Sequence, residues 1–583
     1  MVHARPAYRP GPGRRLGHAL DLLFALLGSG IVRFAHPVRT VRAVNALQEW
    51  GTTLGGLVKA AALAQPGKHA VIDDTGSLTY AELDERTDRL ALALPLSGPR
   101  PRVGVLCRNH RGLVETLVAC GKRGAETILL NTGSGPGQLR SVLTEFRPDL
   151  LVCDAEFAAM LAACPPPLRE SVIWADEPMP GGPLLERLIA GTPAARVEPP
   201  RSDGRVIMLS SGTGGRPKGA RRRPRPGMGP LGSILSRIPL RGRQTFVVDA
   251  PVFHMWGFSA LQLGLALRAT LVLHRRFDPE QTLSELGRWR RCALFAVPVM
   301  IQRIMELPTA VRDSYDTRGL RVVALSGSSL PGDLAHRFMD VFGDRLYNVY
   351  GSTEASWVSI AVPKELRVNP ATAGRPPRGT SVAVVGNAGE RLPRATIGRV
   401  FSGNENAFEG YTSGDPTEVW EGLIFTGDLG HLDSRGLLYV DGRHDGMVVS
   451  GGENVVPREV EDALARLPEV REVAVRGVED AEYGQRLAAY IVLRPGARLA
   501  EEDVREHVRR QIARHAVPRD VLFIPELPRN ATGKIVYRWL DGLRSGRVRT
   551  PEGRVAFWPE SGDLDLDLAA APVHDGPDGR TGT

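Results

Sequence analysis

Apolar positions recur along this chain in two alternating rhythms. Over residues 78–92, LTYAELDERTDRLAL spaces its apolar residues at helical intervals behind a threonine, with acids in the first turns. That pattern predicts a helix that starts at a threonine cap. The run VGVLC at 103–107 predicts a buried strand, followed by a helix over 111–122 and a strand at 127–130. The alternation returns with a strand at 322–326, a helix over 331–342 with proline near its first turn, and a strand at 345–350. Strand and helix in alternation imply an α/β class with mostly parallel sheets.

The texture changes near Arg443. Shorter elements follow: helix 457–467, strands 470–478 and 486–493, helix 501–515 and strand 521–524. They suggest a compact α+β unit. The expected plan is an extension at 1–45, a large domain of α/β subdomains at 46–442, a small mobile C-terminal domain at 443–545, and a disordered tail at 546–583 rich in Asp-Leu, Gly and Pro. The extension is basic at 5–15 and apolar at 20–33. Its uncharged stretch is shorter than the ~20 residues that span a bilayer, and no small-residue cleavage site follows it. An interfacial helix touching a membrane peripherally is expected; a helix packed on the protein's own surface is the alternative.

Composition narrows the classes. Hydrophobic residues make up 42% and charged residues 24% of 583, so a large core needs no covalent staples. The net charge of +9, from 74 Lys+Arg against 65 Asp+Glu, suits anionic small molecules or a membrane surface. No nucleic-acid-binding motif is visible. Five cysteines without a CxxC pair point to a reducing cytoplasm and no structural zinc.

Chemistry gathers in a few short stretches. LSSGTGGRPKG at 209–219 combines glycines, hydroxyls and a lysine after an apolar run. Backbone N–H groups freed by glycine, with Ser/Thr and Lys donors, make a phosphate cradle. It is not a Walker A loop, because Pro217 precedes Lys218 and Gly219 follows it; a flexible surface turn is the other reading. YNVYGSTE at 347–354 ends a strand in a hydroxyl and a carboxylate, which suits a hard cation beside phosphates or a capped turn. FTGDLG at 425–430 sets an aspartate after glycine at a strand end, placed to accept from ribose hydroxyls or simply to close a β-turn. GRHDG at 442–446 lies at the texture change, as a hinge or a linker. Lys534 follows Thr-Gly in PRNATGKIVYR. By itself a lone lysine reads as a surface charge.

In this order and at these spacings the stretches resemble the adenylate-forming superfamily of acyl-CoA synthetases, peptide-synthetase adenylation domains and luciferases, over about residues 50–545. The resemblance implies ATP, Mg²⁺ and coenzyme A as cofactors. It implies that Ser210, Ser211, Gly212, Thr213 and Lys218 cradle the β- and γ-phosphates. Gly327, Ser328 and Ser329 would line the adenine site, with Tyr350 on the base and Gly351 beside it. Thr353 would meet the α-phosphate, and Glu354, with Thr213, the magnesium. Asp428 and Arg443 would hold the ribose, and Asp445 would be the hinge. Lys534 would stabilise attack on the α-phosphate, His254 would gate the carboxylate pocket, and Gly451 and Gly452 would face the incoming thiol. One departure stands out: Gly214 replaces the family's second threonine, removing a phosphate donor worth about 1–3 kcal/mol, so reduced activity is expected.

No charged residue marks a pocket for an amino acid's ammonium, since Asp249 precedes the gate. The expected substrate is a medium- to long-chain fatty acid and the expected activity an AMP-forming acyl-CoA ligase. The alternatives are a fatty acyl-AMP ligase serving a carrier protein and a non-catalytic acyl- or nucleotide-binding homologue.

Overall fold

Thr79 caps the helix Tyr80–Ala93 through a capping box: its side chain accepts from Glu82 N, and the Glu82 carboxylate returns to the Thr79 backbone. Helix Arg111–Arg123 stops at Gly124 in the left-handed region. Such local chemistry sets many of the elements. A computed structural model describes residues 30, 37–134, 136–164, 168, 170–200, 204–210, 218–221, 229–414, 416–446, 448–450, 453–455, 457–480, 484–512, 516–530 and 533–544.

Two sheets carry the α/β alternation. In the first, the parallel strands Leu346–Ser352, Leu320–Leu325, Cys292–Ala296, Thr245–Val248, Thr270–Leu273 and His69–Asp73 lie side by side in that order, and antiparallel strands Ser356–Ala361 and Gly76–Thr79 close its edges. In the second, parallel strands Val206–Ser210, Glu126–Leu129, Arg102–Leu106, Leu150–Cys153 and Val172–Trp174 are extended by antiparallel Lys218–Arg221 and Gly410–Tyr411. Their strands are apolar on both faces because helices cover both. The largest apolar cluster takes Val103, Val105 and Met208 from one sheet and Phe246, Val248 and Leu271 from the other. Between them it includes Leu54, Leu57, Leu117 and Leu261 from helices Leu54–Ala64, Arg111–Arg123 and Met255–Ala266.

A third sheet departs from the mostly parallel expectation. Thr372–Gly374, Leu438–Arg443, Leu423–Leu432, Gly398–Gly403 and Ser381–Val385 pair antiparallel throughout. Antiparallel neighbours need only short connections, so no intervening helix announces them. This sheet also corrects the placement of Asp428, which lies inside the ten-residue strand Leu423–Leu432, opposite Arg443, and not at a strand end.

The small domain forms a sheet of Glu453–Val455, Val448–Ser450, Gly484–Leu493 and Val470–Asp480, with Asp520–Phe523 parallel to Gly484–Leu493. Helices Pro457–Leu464 and Glu501–Gln511 bury Val460, Leu464, Val504 and Val508 against it. At the other end of the chain, helix Pro37–Trp50 crosses residue 45 and buries Ala43, Ala46 and Trp50. Nearly all of the apolar 20–33 segment, and the 546–583 tail, lie outside the described residues. Among the described residues no helix is long and apolar enough to cross a membrane.

Candidate active site

Ligands of open α/β sheets bind beyond the carboxyl ends of the strands, and there a cavity of about 290 Å³ opens. Strand Leu346–Ser352 delivers Gly351, Ser352 and Thr353 to its wall, the turn after Leu320–Leu325 adds Ser326 and Gly327, and Lys534 reaches it from the small domain. From this end the cavity runs inward along one face of helix Met255–Ala266, touching Met255, Phe258, Ser259, Gln262, Leu263 and Ala266. At 1.5 Å per residue that face is about 17 Å long. Leu54, Leu57, Leu117, Leu231 and Ile234 also line the cavity, together with Thr127 and Arg205.

His254 stands at the N-terminus of that helix and lines the cavity. Its Nε2 is buried and has no hydrogen-bond partner among the described residues. Burial first, and then the charge of Lys534, push its pKa down to about 3, so the ring is neutral across the working range. A neutral imidazole with an idle nitrogen is suited to a single hydrogen bond with a carboxyl group. Asp249 lies elsewhere: its oxygens accept from His274 Nδ1 at 2.7 Å and Thr282 Oγ1 at 2.7 Å in the core. No ammonium pocket is built around it.

Lys534 sits on a tight loop. Asn530 O accepts from Gly533 N at 2.8 Å, Asn530 Oδ1 accepts from Lys534 N at 2.9 Å, and Asn530 N donates to Lys534 O at 2.8 Å. Gly533 has φ +77°, and a Cβ there would come 2.8 Å from Val299 Cγ1 of the large domain. Only glycine combines that backbone with that approach. Gly533→Ala is therefore expected to lift the loop and lower acyl-adenylate formation about tenfold, at a cost of ~1–2 kcal/mol, while thioester formation from supplied acyl-adenylate is unchanged. Comparing the two half-reactions checks this. Solvent reaches the Lys534 side chain, yet desolvation by the cleft, followed by Arg443, holds its pKa below the ordinary lysine value, with Asp428 and Glu354 opposing.

Those opposing acids mark the rest of the site. Asp428 Oδ2 accepts from the Tyr350 hydroxyl at 2.5 Å, and Asp428 Oδ1 faces Arg443 Nη1 at 3.5 Å. Tyr350 also reaches Thr426 Oγ1 at 3.2 Å. Burial, then Asp428, push the phenol far above its usual range, so it stays protonated and donating. Glu354 Oε1 accepts from Tyr411 OH at 2.7 Å. Tyr411 belongs to the strand paired with Lys218–Arg221, so the outgoing arm of the glycine-rich loop is tied to Glu354. A single carboxylate whose other oxygen has no side-chain partner among the described residues is a donor set that fits Mg²⁺, which keeps waters and takes further ligands from nucleotide phosphates.

The fold thus gathers His254, Gly327, Tyr350, Gly351, Thr353, Glu354, Asp428, Arg443 and Lys534 around one cleft. Ser328 follows on the same turn, and Ser329 Oγ accepts from Arg458 Nη1 of the small domain at 2.9 Å. Ser211, Gly212, Thr213, Gly214, Gly451 and Gly452 lie outside the described residues, and Ser210, Lys218 and Asp445 are placed by their backbone alone. The sequence reading missed Thr426, although it stands inside the quoted FTGDLG stretch. It missed Tyr411, which carries no local signal. It also missed the contacts that seat the small domain: Arg471 bridges Glu306 through two bonds of 3.0 and 2.6 Å, and Glu472 meets Gln302 at 3.2 Å.

Comparison with known proteins agrees with this geometry. Residues 58–412 match the AMP-binding enzyme family, and residues 459–534 match the AMP-binding enzyme C-terminal domain. A feruloyl-CoA synthase of Amycolatopsis sp is 32% identical over 496 residues, covering 83% of this chain and 97% of that protein. An indoleacetate–CoA ligase of Aromatoleum aromaticum is 30% identical over 505 residues, covering 84% and 96%. The crystal structure of ATP-bound MatB from Rhodopseudomonas palustris aligns with a TM-score of 0.75 at 26% identity, covering 84% of this chain and 98% of that one. The chain belongs to the AMP-binding enzymes of the adenylate-forming superfamily, as an AMP-forming ligase that joins a carboxylic acid to coenzyme A.

Proposed function

We propose that this ligase activates a hydrophobic carboxylic acid, with a medium- to long-chain fatty acid as the first choice. One observation carries the proposal: the cavity that meets Lys534 and His254 extends along helix Met255–Ala266 and is lined mainly by apolar side chains, with Thr127, Arg205 and Gln262 among its polar ones. An aryl-substituted acid is the second reading, because the relatives named above act on feruloyl and indoleacetate groups and Phe258 and Trp357 line the same cavity.

In this reading the acid lies with its tail along the helix and its carboxylate near His254 Nε2. Ser210, Ser211, Gly212, Thr213 and Lys218 hold the β- and γ-phosphates, and Thr353 meets the α-phosphate. Gly327, Ser328 and Ser329 border the adenine, whose ring rests on Tyr350 beside Gly351. Asp428 and Arg443 hold the ribose. Glu354, with Thr213, would hold Mg²⁺, which neutralises charge on the phosphates. Lys534 bridges the attacking carboxylate and the α-phosphate, where charge builds as pyrophosphate leaves. Rotation about Asp445 then withdraws Lys534 and brings Gly451 and Gly452 to the cleft. The thiol of coenzyme A attacks the acyl-adenylate carbonyl, and AMP leaves.

The test is CoA-dependent AMP release with ATP and magnesium over a panel of aliphatic acids of increasing length, ferulate and indoleacetate. The highest kcat/KM is expected on a medium- or long-chain acid; a maximum on ferulate or indoleacetate gives the second reading, and a maximum on acetate overturns both. A plug sharpens it. Ala266→Phe narrows the inner end, and is expected to cut kcat/KM for the longest acids at least tenfold while short acids lose little, since one or two methylenes in an apolar pocket are worth ~1–3 kcal/mol.

A further inference from the structure

Lys534 stands on a turn whose arms meet where Arg529 pairs antiparallel with Ile535. The Asn530 bonds described above give that turn its shape. They do not fix where it lies relative to the cleft, because each of those bonds stays within residues 530–534. Location needs contacts that leave the turn. Gly533 makes one against Val299, and Arg529 makes another. Arg529 Nη1 donates to the carbonyl of Gly533, the residue before Lys534, at 2.8 Å. Arg529 Nη2 donates to Glu472 Oε2 at 2.6 Å.

Glu472 lies on strand Val470–Asp480, and its other oxygen accepts from Gln302 Nε2 at 3.2 Å. Gln302 belongs to helix Pro298–Glu306 of the large domain, which also carries Val299 and Glu306. An unbroken series of contacts therefore runs from that helix through Glu472 and Arg529 to the peptide that precedes Lys534. Arg471, beside Glu472 on the strand, grips the same helix through Glu306. The Arg529 and Glu472 side chains are 22% and 12% exposed, so water screens the pair weakly. A planar guanidinium can hold a carboxylate and a carbonyl at once in fixed directions, which an ammonium on a flexible stem cannot. Neither Arg529 nor Glu472 lines the cavity. Any influence of the pair on the chemistry passes through Lys534.

We propose that Arg529 and Glu472 are positioning residues for acyl-adenylate formation, which hold the Lys534 turn at the cleft while the small domain is seated on helix Pro298–Glu306. The inference rests on the role proposed for Lys534 and adds what places it. When the small domain rotates, Gln302 parts from Glu472, and the turn loses this tie to the large domain.

The experiment uses the full chain with Arg529→Ala, Arg529→Lys, Glu472→Ala, Lys534→Ala and the double variant Arg529→Ala/Lys534→Ala. Pyrophosphate release in a single turnover reports the first half-reaction, and thioester formation from supplied acyl-adenylate reports the second. Arg529→Ala and Glu472→Ala are expected to slow the first half roughly 10- to 100-fold, as a displacement of about 1 Å does to a catalytic group. The KM for ATP and the second half should stay at the wild-type level, the latter showing that the small domain is folded. Arg529→Lys should recover part of the rate, since it keeps the charge facing Glu472. The double variant should be no slower than Lys534→Ala alone, because the pair acts only through the lysine. An unchanged first half in Arg529→Ala and Glu472→Ala, equal losses in both halves, or a further loss in the double variant overturns the positioning role and leaves that of Lys534 standing. A first half undiminished in Lys534→Ala overturns both.

Discussion

Lys534→Ala is expected to slow acyl-adenylate formation about 10²–10³-fold, the usual consequence of removing one preorganised donor from developing charge. Thioester formation from supplied acyl-adenylate should change little, because the role proposed for the lysine lies in the first half-reaction. Rapid-quench measurement of each half separates the two. Equal losses in both halves would show that the loop serves folding, and no loss in either would remove Lys534 from the chemistry. The same residue sets a pH dependence. Its ammonium is held below the ordinary lysine value, chiefly by desolvation. In the proposed role the charged form is the active one, so adenylation should decline with rising pH earlier than an exposed lysine would allow. His254, already neutral above about 3, contributes no limb near pH 6 to 7. An acid limb there that vanishes in His254→Gln would contradict the neutral ring.

Asp428→Ala should raise the KM for ATP about 10²-fold. Asp428 is 8% exposed and holds the Tyr350 hydroxyl at 2.5 Å while facing Arg443 at 3.5 Å. Hydrogen bonds to a charged group are worth ~1.5–3 kcal/mol each, so loss of the two ribose contacts proposed for Asp428 would amount to about two decades in affinity. Tyr350→Phe is the control. It keeps the carboxylate and removes only its internal partner, so a smaller effect is expected. If Tyr350→Phe matches Asp428→Ala, the aspartate positions the tyrosine and does not bind the ribose. Asp428→Asn should fall between, since it keeps shape and loses charge opposite Arg443.

Much of the fold was legible because the signals are local. The capping box at Thr79 and Glu82, the stop at Gly124 and the apolar parallel strands are each set by a few adjacent residues. The glycine-rich stretch at 209–219 stands out on equally local grounds, glycines next to hydroxyls and a lysine, but most of it lies outside the described residues. The antiparallel third sheet was not, because short strands joined by short turns carry no helical spacer. Asp428 was expected at a strand end, since a glycine before an aspartate usually marks a turn. Here Gly427 takes φ +84° at a bulge within the strand, opposite Val400, and Asp428 pairs across to Arg443.

By itself, then, the order of motifs determined the α/β class, the small C-terminal domain and the kind of chemistry, since glycine, hydroxyl and charge requirements are written within a few residues of one another. Tertiary structure decided what those residues meet. Lys534 reaches His254, Asp428 and Glu354 from positions more than a hundred residues distant in sequence because Gly533 packs on Val299 and Arg471 bridges Glu306. Lys68, Arg268 and Arg243, each just before a strand of the first sheet, look like scattered charges along the chain. Sheet order sets them side by side, and adjacency between strands follows from long-range pairing that no local pattern encodes.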